Sequence, residues 1–574
     1  MLSARLAKIA LCSVSDFYQC VARVAPLHWS IGMNYEESSR GITITISAAI
    51  AKEAKESFAH ADWAKNIPAY LLLRGDDEIT ISYNELDEIA KDWVLEKLTQ
   101  GGHRAMAGTV AGLRAASKDP ANIEIFDLVI LAQALGEYIK QDAIDGWLYT
   151  IGQDGEHVPW LVTDVAYQEA SNAPPCVAVY LTANSIPSRR DDLVRPASRV
   201  SYFFAEDVQF KKIADVLAMK GFMKETPELK VGYLKSMQTF AEILPKMNCQ
   251  FWATGSGMEV DMDERTHYPE RVVLDTPCRV INDEGLLHRK FFTRVNSPFW
   301  ESFGLNFNEI PVHPQILCFN LETHTNMWIH VDNLTAYRYD ASLREKLILP
   351  EEHRDLIDIL TQDMDILMDD IVAGKSGGTT ILCKGAPGLG KTLTAEVYSE
   401  VVGRPLYRVH SGQLGVSSEN VEKNLEKVLK RAQRWGAVML IDEADVYIRR
   451  RGNEIDHNAV VASFLRTLEY FHGLLFLTTN RVDDVDDAIA SRCIATIRYA
   501  VPKEEDARRI WNVLADQFQF PLTEELVDNL VMHFSGVSGR DIKELLKLTA
   551  KWCRQKNVTP TLEVFKTCAQ FRGL

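Results

Sequence analysis

The segment TTILCKGAPGLGKTLTAEVYSEVVG, residues 379–403, constrains this chain more than any other. An apolar run leads into three glycines within six residues, and a helix-compatible run follows at once. That succession specifies a strand, a glycine-rich turn and a helix, with the helix packed back across a sheet. Gly385, Ala386, Pro387, Gly388, Leu389, Gly390, Lys391 and Thr392 fit the spacing G-x-x-x-x-G-K-[ST], which chance would produce in roughly 2% of chains this long. Glycines at these positions let backbone N–H groups turn inward around phosphates, and the helix N-terminus adds its positive end. Lys391 is then the candidate to reach the β- and γ-phosphates of ATP, and Thr392 the candidate ligand for Mg2+.

Two later segments supply what such a loop lacks. AVMLIDEAD is a buried-strand pattern ending on Asp442 and Glu443. There Asp442 would hold the magnesium shell and Glu443 would orient and deprotonate the attacking water. LLFLTTN ends on Asn480, whose amide offers both a donor and an acceptor to a phosphate and a water. In DDVDDAIASRCIATIRY, Arg492 falls at a helix end and is the first candidate to meet a neighbouring subunit's γ-phosphate, with Arg498 as the second. FSGVSGRDIKELLKLTAKW reads as a turn and an amphipathic helix in a C-terminal bundle. Arg540 near that helix's start either reaches the nucleotide or pairs with Asp541 or Glu544.

At 574 residues, two to four domains are expected. The net charge of -16 opposes a polyelectrolyte surface for nucleic acid. Basic runs occur only at Arg189, Arg190, Arg195 and Arg199 and at Arg449 to Arg451, each interrupted or followed by acids, so a solvated face is the better reading. The ten cysteines form no C-x-x-C pair, which argues against a zinc ribbon and fits a reducing, cytoplasmic setting. The start, MLSARLAKIALCSVSDFYQC, reads as an amphipathic helix rather than a signal peptide. No apolar run approaches the ~20 residues of a membrane span.

Residues 1–140 read as mainly helical, with PAYLLLRGDDEITIS as a small hairpin. From 141 to 344 short β-branched and aromatic runs alternate with turn-formers, among them GWLYTIG, CVAVYLTA, HRKFFTRV and NMWIHVD, and an α+β accessory domain is expected. His324 and His330 flank a turn without a Cys or acidic partner, and Glu259, Asp261, Asp263 and Glu264 lack the glycine and final Glu of a calcium loop. Neither set predicts a metal site. Residues 345–500 are expected to form the α/β ATPase domain and 501–574 a helical lid.

The ordered set GAPGLGKT, LIDEAD, LTTNRVDDVDDAIASR and GVSGRDI resembles the AAA-type ATPases of the AAA+ superfamily over residues 345–574. GRPLYRV and FLRTLEYFHGLLFLTTNR further resemble a less-characterised group with a large N-terminal region. The resemblance implies a P-loop domain with a parallel sheet flanked by helices, a helical lid, and a homo-oligomeric ring, usually a hexamer. It also implies ATP at subunit interfaces, Arg492 acting in trans, and Asp370 and Ile371 near the adenine. Two departures stand out. The finger segment lacks the R-x-x-R-F form, which implies a single finger. HSGQLGVSSEN, residues 410–420, lacks the aromatic–hydrophobic–glycine triplet of the pore loop, leaving Val416 as the apolar residue in its place. Valine offers far less surface than an aromatic for gripping a chain.

The expected function is therefore ATP hydrolysis driving remodelling of a protein or protein complex, chosen by the N-terminal region. An ATP-dependent switch or sensor, as in stress or phage defence, is the alternative. A nucleic-acid loader is the third reading.

Overall fold

The computed structural model describes residues 43–69, 78–125, 127–152, 155–170, 173–186, 195–261, 269–362, 378–415, 417–451, 455–469 and 471–574. The expected N-terminal amphipathic helix lies outside them.

The first described unit pairs β1 (Thr43–Ser47) with β2 (Glu78–Ser82), antiparallel, in the register Ile44↔Ile81 and Ile46↔Ile79. These four isoleucines alternate inward and are all buried, which fixes the register, since a one-residue slip would expose them. The sequence assigned β2 to a local hairpin with the preceding apolar run. Residues 70–77 of that run lie outside the described residues, and among the described residues β2 pairs with β1. Helix α1 (Ala48–Ser57) follows β1 directly, with Ser47 at its N-cap. Then come α2 (Glu88–Gln100), α3 (Arg104–Lys118) and α4 (Leu128–Lys140).

Two antiparallel sheets follow. The first runs β6-β5-β4-β3-β7, where β3 is Trp147–Ile151, β4 His157–Ala170, β5 Ala173–Ala183, β6 Ala197–Phe204 and β7 Phe222–Lys224. After α5 (Pro227–Ile243), whose start carries the Thr226 cap and Pro227, the second sheet is β11-β10-β9-β8-β12. Its strands are β8 (Gln250–Val260), β9 (Glu270–Asn282), β10 (Gln315–Asn320), β11 (Asn326–His330) and β12 (Leu334–Ala336). A further β11–β8 pairing closes the sheet on itself, helped by a bulge at Gly255, where φ is +73°. HRKFFTRV, expected as a strand, is irregular, with one isolated bridge at Arg294. Its backbone is claimed by side chains instead: Asn184 accepts from the Phe292 N–H and donates to the Phe292 carbonyl. A single cluster of buried apolar side chains runs from Ile44 to Leu334 through both sheets.

The segment around 345 forms α6 (Glu351–Gln362). The next sheet is parallel throughout, in the order β14-β15-β16-β13-β17. Its strands are β13 (Thr379–Lys384), β14 (Leu406–His410), β15 (Val438–Asp442), β16 (Leu474–Thr479) and β17 (Ala495–Arg498). Helices cover both faces, which is why VMLID and LLFLTT are buried at every position rather than alternating. On one side Ile381, Leu440 and Phe476 pack under α7 (Lys391–Val401). On the other Leu382, Ile441 and Leu477 meet α8 (Ser418–Trp435) and α9 (Ile455–Leu468). Helix α8 presents Val421, Leu425, Leu429, Ala432 and Trp435 at three- and four-residue spacing and stops at Gly436, in the left-handed region. The lid is a four-helix unit, α10 (Glu504–Gln517), α11 (Glu524–His533), α12 (Gly539–Lys556) and α13 (Leu562–Gln570), built around the fully buried Trp511.

The accessory region is docked on the ATPase core through the C-terminal end of α8. Asp283, 1% exposed, accepts from Arg434 at 2.7 and 2.8 Å and from the Trp435 indole N–H at 2.8 Å. Phe319 packs 4.9 Å from the Trp435 ring, and Arg431 stacks 4.2 Å over Phe319. Tyr337 donates to Glu400 on α7 at 2.6 Å.

Candidate functional site: a phosphate-binding loop at a parallel sheet edge

The strand order places β13 between β16 and β17, so the loop after β13 opens at the carboxyl edge where β15 and β16 also end. Crossover connections to both sides create a crevice there, the usual place for a ligand in an open α/β sheet. Gly385 to Gly390 form the turn, and Gly390, at φ +95°, is the N-cap of α7. Only glycine fits at Gly385: a Cβ there would come 2.6 Å from the Tyr499 carbonyl oxygen. At Gly388, φ is +83°, and a Cβ would lie 2.7 Å from Ser538 Oγ.

Lys391 is buried, and its ammonium donates to the carbonyls of Gly385 at 2.7 Å and Ala386 at 2.8 Å and to Asn480 Oδ1 at 3.0 Å. Burial pushes its pKa down, while Asp442 and Asp445 pull it back up. Thr392 donates to Asp442 Oδ1 at 3.0 Å. The same oxygen accepts from Thr478 at 2.6 Å, and Asp442 Oδ2 accepts from Arg408 at 2.6 Å. Burial alone would raise the Asp442 pKa, but the Thr478 hydroxyl, the Arg408 guanidinium and Thr392 together hold it below its ordinary value. A hydroxyl and an ionised carboxylate side by side are hard oxygen donors, the chemistry that Mg2+ prefers. The residues present thus fit both a nucleotide phosphate and its magnesium.

Glu443 is exposed beside the site and has φ +53°, a strained value for a non-glycine residue. Its N–H is pinned to Thr478 Oγ1 at 3.0 Å. The structure thus brings Lys391, Thr392, Asp442, Glu443 and Asn480 to one edge. The lid joins them through its backbone, because the Arg540 N–H donates to the Gly388 carbonyl at 3.1 Å. The carboxylates named as alternative partners for Arg540 are engaged elsewhere, Asp541 by Arg572 and Ser538, Glu544 by Lys547. Arg492 lies apart on the helix Asp487–Arg492, exposed and paired with Glu469. Arg498, on the edge strand β17, is 3.7 Å from Asp483. Asp370, Ile371 and Val416 lie outside the described residues.

Three contributors were missed from the sequence. Asp445 accepts from the Thr479 hydroxyl and from the Asn480 N–H at 3.2 Å, and so orients the strand end that carries Asn480. Thr478 links Asp442 to Glu443. Arg408 left one usable signal, a guanidinium inside the otherwise apolar run LYRV. The base of the expected pore segment is tied down as well: Tyr447 donates to the carbonyls of Ser411 and Gly415.

Among the described residues, the basic runs have partners within the chain. Arg449, Arg450 and Arg451 pair with Asp484, Asp487 and Asp486, and Arg199 lies over the Phe222 ring. Arg189 and Arg190 fall outside the described residues.

The family model "ATPase family associated with various cellular activities (AAA)" matches residues 381–500, the span that carries this whole edge. Over this span the chain matches the AAA family. The chain is 29% identical over 178 residues to a mitochondrial sorting homolog of Caenorhabditis elegans, covering 29% of this chain and 52% of the worm protein. It is 25% identical over 237 residues to spastin of Sus scrofa, covering 38% of this chain and 36% of spastin. Among solved structures it matches the FIGL-1 AAA domain in complex with ADP at 18% identity and a TM-score of 0.33, covering 39% of this chain and 82% of that one. The chain thus spans about half or less of the length of these curated relatives. The AAA domain here is an α/β P-loop unit with a helical lid, preceded by an α+β region. Among the described residues no helix is long and apolar enough to cross a membrane.

Proposed function

We propose that this protein hydrolyses ATP with Mg2+ and works as a homo-oligomeric ring, a hexamer by family analogy, in the cytoplasm. In this reading it remodels a protein or protein complex selected by the region before residue 345. One observation carries the proposal: the hydrogen-bonded pairs Lys391–Asn480 and Thr392–Asp442 lie side by side at the sheet edge, with Glu443 exposed beside them. When bound, the magnesium would neutralise charge on the phosphates. The chain's own residues do the rest. Lys391 and the loop amides bind phosphate oxygens, Thr392 and Asp442 would hold the metal, Glu443 takes a proton from water, and Asn480 orients that water. Arg492 is exposed, as a residue serving a neighbouring subunit must be, and it would first have to leave Glu469.

A switch is the second reading. It is favoured by the rigid joint at Asp283, because α8 runs from the pore segment at one end to the accessory region at the other. The test is Glu443→Gln. The variant should bind ATP as the wild type does and hydrolyse it about 10²- to 10⁴-fold more slowly. It should also hold its partner long enough for co-purification in ATP. Wild-type turnover would remove Glu443 from the role. An extended peptide trapped in the ring supports threading, and a folded partner supports the switch.

A further inference from the structure

We propose that Arg408 is a positioning residue that occupies Asp442 as an internal cation and yields it to the divalent metal, with Glu396 as the carboxylate that receives the displaced guanidinium. The inference rests on the nucleotide-site reading above and adds a step to it. Asp442 has no oxygen free of protein donors: Oδ1 takes Thr392 and Thr478, and Oδ2 takes Arg408 at 2.6 Å. Thr478 is 1% exposed and fixed by its strand, whereas the Arg408 side chain is 40% exposed. Thr392 would stay as a ligand of the metal, so of the three donors the guanidinium is the one that has to leave. It also carries the charge that repels a second cation. A metal held by Asp442 and Arg408 at full contact with the same oxygen are mutually exclusive on electrostatic grounds.

The second carboxylate makes the exchange local. Glu396 Oε1 lies 3.6 Å from Arg408 Nη1, one helical turn along α7 from Thr392. A small rotation of the guanidinium would exchange a salt bridge to Asp442 for one to Glu396, so its charge is never left unpaired. Burial raises the pKa of Glu396, and Arg408 is the strongest influence pulling it back, followed by Arg279 of the accessory region. Lys543 of the lid acts on it as well. Charges of the accessory region and of the lid thus bear on the receiving carboxylate.

The experiment measures binding rather than turnover. In the Glu443→Gln background, ATP affinity is followed with a fluorescent ATP analogue while Mg2+ is titrated, and Mn2+ binding is read by electron paramagnetic resonance. Arg408→Gln should lower the half-saturating Mg2+ about tenfold, the weight of one charge-assisted hydrogen bond. Binding in chelator without metal should stay the same. Glu396→Gln should move the Mg2+ requirement the opposite way, by a smaller factor. Arg408→Lys, which keeps the charge, should fall between and serves if Arg408→Gln does not fold. An unchanged or raised Mg2+ requirement in Arg408→Gln overturns the inference while leaving the site reading intact. Failure of the parent to bind ATP at any Mg2+ concentration overturns both.

Discussion

The accessory region and the AAA domain both bury charged groups, and they treat them in opposite ways. In the accessory region the buried charges of Glu225, Arg289 and Asp283 are held by groups of the protein itself. Glu225, 5% exposed, accepts from the backbone N–H groups of Ile144, Asp145 and Gly146. Arg289 lies 2.7 Å from Glu284 and stacks on Phe291 and Trp328. Asp283 is saturated by Arg434 and Trp435. In the AAA domain the buried Lys391 and Asp442 are held by backbone carbonyls, hydroxyls and a half-exposed guanidinium, partners that a phosphate or a metal can replace. The contrast separates pins from sites. A buried ion with a permanent, matched partner stabilises an arrangement, and one with exchangeable partners is ready for a ligand.

Three experiments probe this contrast. The largest effect is expected from Arg492→Ala. Stabilisation in trans by an arginine finger is worth about 10³-fold or more in turnover, with melting unchanged because the residue is exposed. Mixing it with Glu443→Gln subunits should restore part of the activity if the finger serves a neighbour. Full turnover of Arg492→Ala alone would shift the role to Arg498. Next is a paired test of pin against site. Lys391→Ala should cost about 10²-fold in ATP affinity, or ~3 kcal/mol, with only a small shift in melting temperature. Asp283→Ala should do the reverse: it leaves a guanidinium and an indole N–H unpaired, costs about 3 kcal/mol, and lowers the melting temperature by roughly 6 °C or more. Calorimetry on both variants decides it, and an Asp283→Ala protein that melts normally but fails to bind ATP would merge the two classes. The smallest effect is expected from Arg498→Ala. Its partner Asp483 is exposed and 3.7 Å away, so stability should change by less than about 1 kcal/mol.

Much of the AAA domain was legible because its chemistry is local in sequence. The loop, its strand and its helix are contiguous, Asp442 ends an unbroken apolar run, and Asn480 follows another after two threonines. The parallel sheet made those runs continuous rather than alternating, which is why they could be recognised without neighbours. The accessory region resisted because its partners are distant. β2 pairs with a strand about thirty residues upstream, HRKFFTRV gives up regular pairing to Asn184, and the closed second sheet depends on β11 meeting β8 across seventy residues. Nothing in a short window carries those distances.

By itself, the sequence determined the phosphate loop, the identity of its lysine and threonine, and the acidic pair that follows. Glycine spacing and apolar periodicity are properties of the chain, and only a few backbone geometries satisfy them. Only the tertiary structure decided that Arg408 lies on Asp442, that Asp445 orients the end of β16, and that Asp283 ties α8 to the accessory region. Each of those joins side chains from separate strands and helices, and their meeting is fixed by how the sheets stack rather than by any spacing along the chain.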